Sequence, residues 1–231
     1  LKLYENVVIG NFLYGLGHAI GNATLQKRQL SVINLLQQTP ADKELGDMLL
    51  EFPGVVRLIE FKNKASSLTK EKDRCKQLTI QIGDNEELQR ISREVHWYVE
   101  TEPFKETCLN NINPYLDAFS GKESSHTIES FIESISLSVI DSQSTIPSSK
   151  LEAYLAMVST CQGDGNIGTG GLVVSVGKEG IRYLQFSDIM QLRLQHKEYV
   201  LQITKEYESI MKRSPKKELK LKMGNSMGRT M

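Results

Sequence analysis

Apolar positions along this chain change period several times, and each change predicts an element. Val7, Val8, Phe12, Leu13, Leu16 and Ile20 recur at helical spacing, which predicts an amphipathic first helix over 4–21. Gly10, Gly15, Gly17 and Gly21 lower its helical propensity but allow close packing on a sheet. Leu25, Leu30, Val32, Ile33, Leu35 and Leu36 predict a second helix over 24–38, ended by Thr39-Pro40. Two short apolar runs follow, joined by Pro53-Gly54, and read as a β-hairpin. Residues 67–81 and 86–93 read as helices, and Val95–Thr101 is strand-like in its β-branched and aromatic content. Residues 110–114, rich in asparagine and closed by Pro114, predict a loop. A helix is predicted over 127–139, a Ser/Thr/Pro connector over 142–149, and a short helix or strand over 151–158. Strands 172–176 and 181–186 form a second hairpin, and a long helix with an apolar stripe spans 188–212. Together these predict an α/β fold: a mixed central sheet flanked by helices, followed by a C-terminal hairpin and long helix.

Candidate chemistry gathers on the first hairpin. With Pro53 and Gly54 as a two-residue tip, Glu51 lies across from Val56 and Asp47 across from Glu60. Side chains alternate faces along a strand, so Glu60 and Lys62 share one face and Phe61 points to the other. With that tip Asp47, Glu60 and Lys62 converge on one side, whereas a longer loop would shift the pairing and keep only the shared face of Glu60 and Lys62. Met48, Leu50, Phe52, Ile59 and Phe61 occupy the opposite side. Two carboxylates and a lysine on one sheet edge suit a divalent-metal site. Ordinary surface charges would also explain the three residues.

Asp47, a gap of twelve residues and then Glu60-Phe61-Lys62 resembles the signature of the PD-(D/E)XK nuclease superfamily. That signature is an acid opening one strand, a hairpin turn, and acid-x-Lys on the next strand. Gly46 stands where the motif's name has proline. The resemblance covers roughly residues 1–101 and implies a restriction-endonuclease-like core. It further implies Mg²⁺ or Mn²⁺ held by Asp47, Glu60 and the Phe61 carbonyl, with Lys62 completing the catalytic set. Glu5 is either a further metal-site acid or a first-turn glutamate favoured by the helix dipole. Gln77 falls where related nucleases often carry a polar residue, and Lys64, Lys70 and Lys72 are candidate phosphate contacts. The implied activity is phosphodiester hydrolysis, of DNA rather than RNA, in a restriction or antiviral-defence setting. The alternative is an inactive fold that binds nucleic acid or protein, as a homodimer or a subunit of a larger assembly.

Composition narrows the remaining readings. Twenty-eight basic and 28 acidic residues leave no formal net charge, so any nucleic-acid surface is local. Cys75, Cys108 and Cys161 are few and scattered, which fits neither a disulfide framework nor a zinc pattern and points to a reducing, cytoplasmic setting. The first apolar stretch, with Asn11 and His18 inside it, is too short and polar to span a membrane. Gly163-Asp164-Gly165-Asn166-Ile167-Gly168 fits a dinucleotide-binding spacing, but a strand follows it where a helix is required. A loop entering the second hairpin is the better account. Residues 212–231 hold seven basic side chains against Glu218, a tail suited to nonspecific nucleic-acid binding or to solubility. The Ser/Thr/Pro connector suggests a core over 1–145 and an extension over 146–231 that could share its domain.

Overall fold

The computed structural model describes residues 4–23, 29–35, 47–52, 55–64, 68–104, 107–121, 123–124, 126–141, 146–162, 171–177 and 180–186. Helix α1 (Glu5–Ala23) leads to strands β1 (Gln29–Leu35), β2 (Met48–Phe52) and β3 (Val55–Asn63). Helices α2 (Thr69–Ile82) and α3 (Glu86–Val95) precede β4 (His96–Phe104) and β5 (Thr107–Pro114), which a 3₁₀ turn at Tyr115–Asp117 closes. Helices α4 (Ile128–Asp141) and α5 (Ser148–Gln162) then lead to the hairpin of β6 (Gly171–Gly177) and β7 (Gly180–Phe186).

The seven strands form one mixed sheet in the order β5-β4-β3-β2-β1-β6-β7. Neighbours are antiparallel except β3 and β4, which run parallel. A parallel pair needs a crossover, and α2 and α3 provide it. The β2–β3 hairpin pairs Met48 with Ile59, Glu51 with Val56 and Phe52 with Val55, the register that a two-residue tip dictates.

Alternation along the central strands sorts their side chains between two cores. On one face Met48, Leu50, Phe52, Ile59 and Phe61 pack against Ile9, Phe12 and Leu16 of α1 and Phe131, Ile135 and Val139 of α4. On the other, Leu49, Val56 and Leu58 meet Leu78 and Ile82 of α2, Ile91 and Val95 of α3, and Leu151, Tyr154, Leu155 and Val158 of α5. Each fully buried large side chain contributes about 1.5–3 kcal/mol relative to exposure. Asn85 caps α3, its side chain accepting from the Leu88 amide at 3.0 Å.

Two sequence expectations are corrected. Residues 29–35 form β1, not part of a helix over 24–38. Short apolar runs fit either period, and pairing with β2 on one side and β6 on the other decides for strand. Residues 110–114 belong to β5 instead of a loop. They lie at the sheet's edge, where terminal Pro114 breaks no ladder, and Ile112 is buried while the flanking asparagines take the other face. Residues 151–158 are helical. Because α5 fills the same core as β2 and β3, and β6 pairs with β1, residues on both sides of position 145 share one core and one sheet. The glycine-rich 163–170, the long helix at 188–212 and the basic tail lie outside the described residues.

Candidate active site

Asp47 sits directly before β2 and is buried, 4% exposed, with its Oδ2 accepting the Phe61 amide at 2.7 Å. That bond ties the start of β2 to the acid-x-Lys segment of β3. Glu60, equally buried, forms an ion pair with Lys62. The Lys62 Nζ also lies 3.4 Å from Asp47 Oδ2 and donates to the Phe61 carbonyl at 3.0 Å. One ammonium thus stands among three oxygens, from Asp47, Glu60 and the Phe61 peptide. These are the oxygens expected to hold a metal ion.

Electrostatics at this point are unbalanced toward negative charge. Burial pushes the Glu60 carboxyl well above its ordinary value, and Asp47 and Glu71 push it further, against the opposing pull of Lys62. For Lys62, burial favours the neutral amine, but Glu60, Asp47 and Glu5 together outweigh it and hold the ammonium above its ordinary value. A lysine base would need the opposite shift, so in this arrangement Lys62 is a cation. Among the described residues no three His, Cys, Asp or Glu side chains form a ready metal cage. The oxygen set is two carboxylates plus a peptide carbonyl, hard donors around an existing cation position, and it fits Mg²⁺ or Mn²⁺ in kind.

The other sequence candidates divide. Glu5, at the start of α1, accepts the Asn63 amide at 3.1 Å and so reaches the end of β3 at the margin of the site. Gln77 is exposed. The buried positions of α2 are Glu71, Cys75, Leu78 and Ile82, and Gln77 lies off that face. Lys70 and Lys72 are exposed on the same helix, and Lys64 pairs with Glu102 at 2.7 Å in an exposed ion pair. No helix among the described residues is long and apolar enough to cross a membrane.

Sequence reasoning missed Glu71, a buried carboxylate in the first turn of α2. The Tyr115 hydroxyl donates to its Oε1 at 2.5 Å, and Arg74 lies 3.5 Å from its Oε2. A signal existed: extending the apolar spacing of Cys75, Leu78 and Ile82 back by one turn lands on position 71. Tyr98 and Asn113 were missed as well, because their place beside Glu60 depends on strand pairing.

No protein-family model, curated protein or solved structure matches this chain.

Proposed function

We propose that this chain is a metal-dependent nuclease of the restriction-endonuclease-like type, hydrolysing phosphodiester bonds, with DNA as the favoured substrate. The observation that carries the reading is the convergence of Asp47 Oδ2, Glu60 Oε1 and the Phe61 carbonyl oxygen on one cation position. The order α1-β1-β2-β3-α2-α3-β4, with β3 and β4 parallel, supports it, since the motif resemblance leads one to expect such a core.

In this reading Asp47, Glu60 and the Phe61 carbonyl hold Mg²⁺ or Mn²⁺. The bound ion supplies Lewis acidity and a coordinated water of lowered pKa. The protein's own groups do the rest. The Phe61 amide fixes the Asp47 carboxylate, so one ligand oxygen is oriented before any substrate arrives. Lys62, held charged by its neighbours, offers its ammonium to a phosphate oxygen and offsets the charge developing there. Exposed Lys70 and Lys72 add phosphate contacts without sequence preference.

A second reading is an inactive module of the same shape that binds nucleic acid or protein. It is favoured by Lys62 itself, whose ammonium already stands at the position between the carboxylates of Asp47 and Glu60. Incubation with plasmid, linear and single-stranded DNA and with RNA, in Mg²⁺, Mn²⁺ or EDTA, separates the two. A nuclease cuts only with the metal and loses at least a hundredfold in rate in folded Glu60→Ala and Lys62→Ala variants, the scale on which one charge-stabilising group acts. Cutting that survives both substitutions removes Glu60 and Lys62, and with them the acid-x-Lys motif, from the chemistry. No cutting in any metal favours the binding module.

A further inference from the structure

The polar character of this sheet face does not stop at β3. Strand pairing sets Glu60 beside Tyr98 and then Asn113, and Lys62 beside Glu100 and then Asn111. Paired residues project to the same face, so two polar rows run from the candidate site across β4 to the edge strand β5. The first row is closed: Tyr98 and Asn113 are buried. The second is open, with Glu100 and Asn111 half-buried.

The first row orients the second. The Tyr98 hydroxyl donates to Glu100 Oε2 at 3.1 Å. Asn113 Nδ2 donates to Asn111 Oδ1 at 2.8 Å, which leaves the Asn111 amino group turned away from Asn113. Among the described residues, Glu100 Oε1 and Asn111 Nδ2 make no hydrogen bond, although the Glu100 carboxylate lies within the field of the exposed Lys64. The shelf therefore presents a carboxylate, and next to it an N–H donor, both held by buried neighbours.

We propose that Glu100 and Asn111 receive the edge of an unpaired guanine in a nucleic-acid strand whose phosphate lies at Lys62. The position of that phosphate rests on the nuclease reading above. Strands lie about 4.8 Å apart, so Glu100 stands roughly 5 Å and Asn111 roughly 10 Å from Lys62 along the shelf. A carboxylate repels the sugar–phosphate backbone, so this ground suits a base and not a second phosphate. Guanine carries two adjacent N–H donors, at N1 and N2, which match the carboxylate, and its neighbouring O6 acceptor matches the Asn111 amino group. In a duplex that edge is covered by cytosine, which makes the ligand single-stranded or locally opened.

The test is fluorescence anisotropy of the full chain with labelled oligothymidylate strands carrying one central guanine, inosine, adenine or cytosine, in EDTA and in Ca²⁺. Inosine lacks only the N2 amino group. The guanine strand is expected to bind about tenfold more tightly than the inosine strand, the scale of one good base contact. With unchanged circular dichroism, Glu100→Gln should erase most of that preference, whereas Asn111→Ala, which removes the partner of the O6 that guanine and inosine share, should weaken both of those strands relative to adenine. No binding, no base preference, or a preference that survives both substitutions overturns the proposal. Cutting in Mg²⁺ without base preference would reject the shelf and leave the nuclease. Guanine preference without cutting in Mg²⁺ or Mn²⁺ would reject the nuclease and leave the shelf.

Discussion

Glu60 holds a charge in a place that disfavours it, and the consequence is measurable. Its folded carboxyl is raised by burial, by Asp47 and by Glu71 above the ordinary 4.5, so its ionisation drains stability as pH rises from that value through the folded one. Glu60→Gln should then be more stable than wild type at pH 7 by on the order of 1 kcal/mol, with the gap closing toward pH 4. Thermal melts without divalent metal would show a midpoint raised by about 2–4 °C. Adding Mg²⁺ or Mn²⁺ should raise the wild-type midpoint and leave that of the variant unmoved. A less stable variant at pH 7 would remove the argument for excess negative charge. His96 works in the opposite pH range. Fully buried, stacked on Tyr115 at 4.1 Å and 3.1 Å from the Tyr154 hydroxyl, it is pushed down to about 3 by burial. The unfolded chain takes up this proton from about pH 6.5 downward and the folded chain does not. Stability should therefore fall by up to about 1.4 kcal/mol per pH unit between those values. Denaturant titrations at pH 7, 6, 5 and 4 would show the slope, and His96→Gln should flatten it.

At the scale of elements, α1 separates two kinds of glycine. A methyl group added at Gly10 or Gly17 meets nothing within 4 Å, whereas at Gly15 it comes 3.0 Å from Ile132 Cδ1 of α4. Gly10→Ala and Gly17→Ala should each stabilise by about 0.5–1 kcal/mol through helical propensity alone. At Gly15→Ala that gain is offset by displacement of the Ile132 methyl, so its melting midpoint should rise less than those of the other two. Equal gains at all three positions would show that α1 and α4 pack more loosely than described. The same pair of helices covers the hairpin face that carries Phe61, and so fixes the strand from which Glu60 and Lys62 project to the other side.

At the scale of the whole molecule, the site depends on both layers of helix and on chain well beyond the motif. Tyr154 and Val158 of α5 are fully buried in the core with Leu58, and Tyr154 shares hydrogen bonds with Ser92 and His96. A chain ending at residue 145 would leave that core open over the span of a whole helix. It should lose cooperative unfolding, read as a broad thermal transition and dye binding, even though it retains Asp47, Glu60 and Lys62. A sharp transition in the truncated chain would show that 1–145 folds by itself.

Local pattern determined a good part of this. The β2–β3 register follows from Pro53-Gly54 between two apolar runs, and alternation alone put Glu60 and Lys62 on one face, opposite Phe61. The helices near 5–23, 69–82, 86–95 and 128–141 were legible because their apolar positions repeat over several turns. Tertiary structure decided the rest. Residues 29–35 are a strand only because β2 and β6 supply hydrogen-bond partners on both sides, and β5 absorbs three asparagines because it lies at an edge. Glu71, Tyr98, Glu100 and Asn111 join the candidate site through a helix laid over the sheet and through pairing across β3, β4 and β5. Such contacts join residues far apart in the chain. A sequence read in short windows carries periodicity, but the partner opposite each strand is chosen by the folded whole.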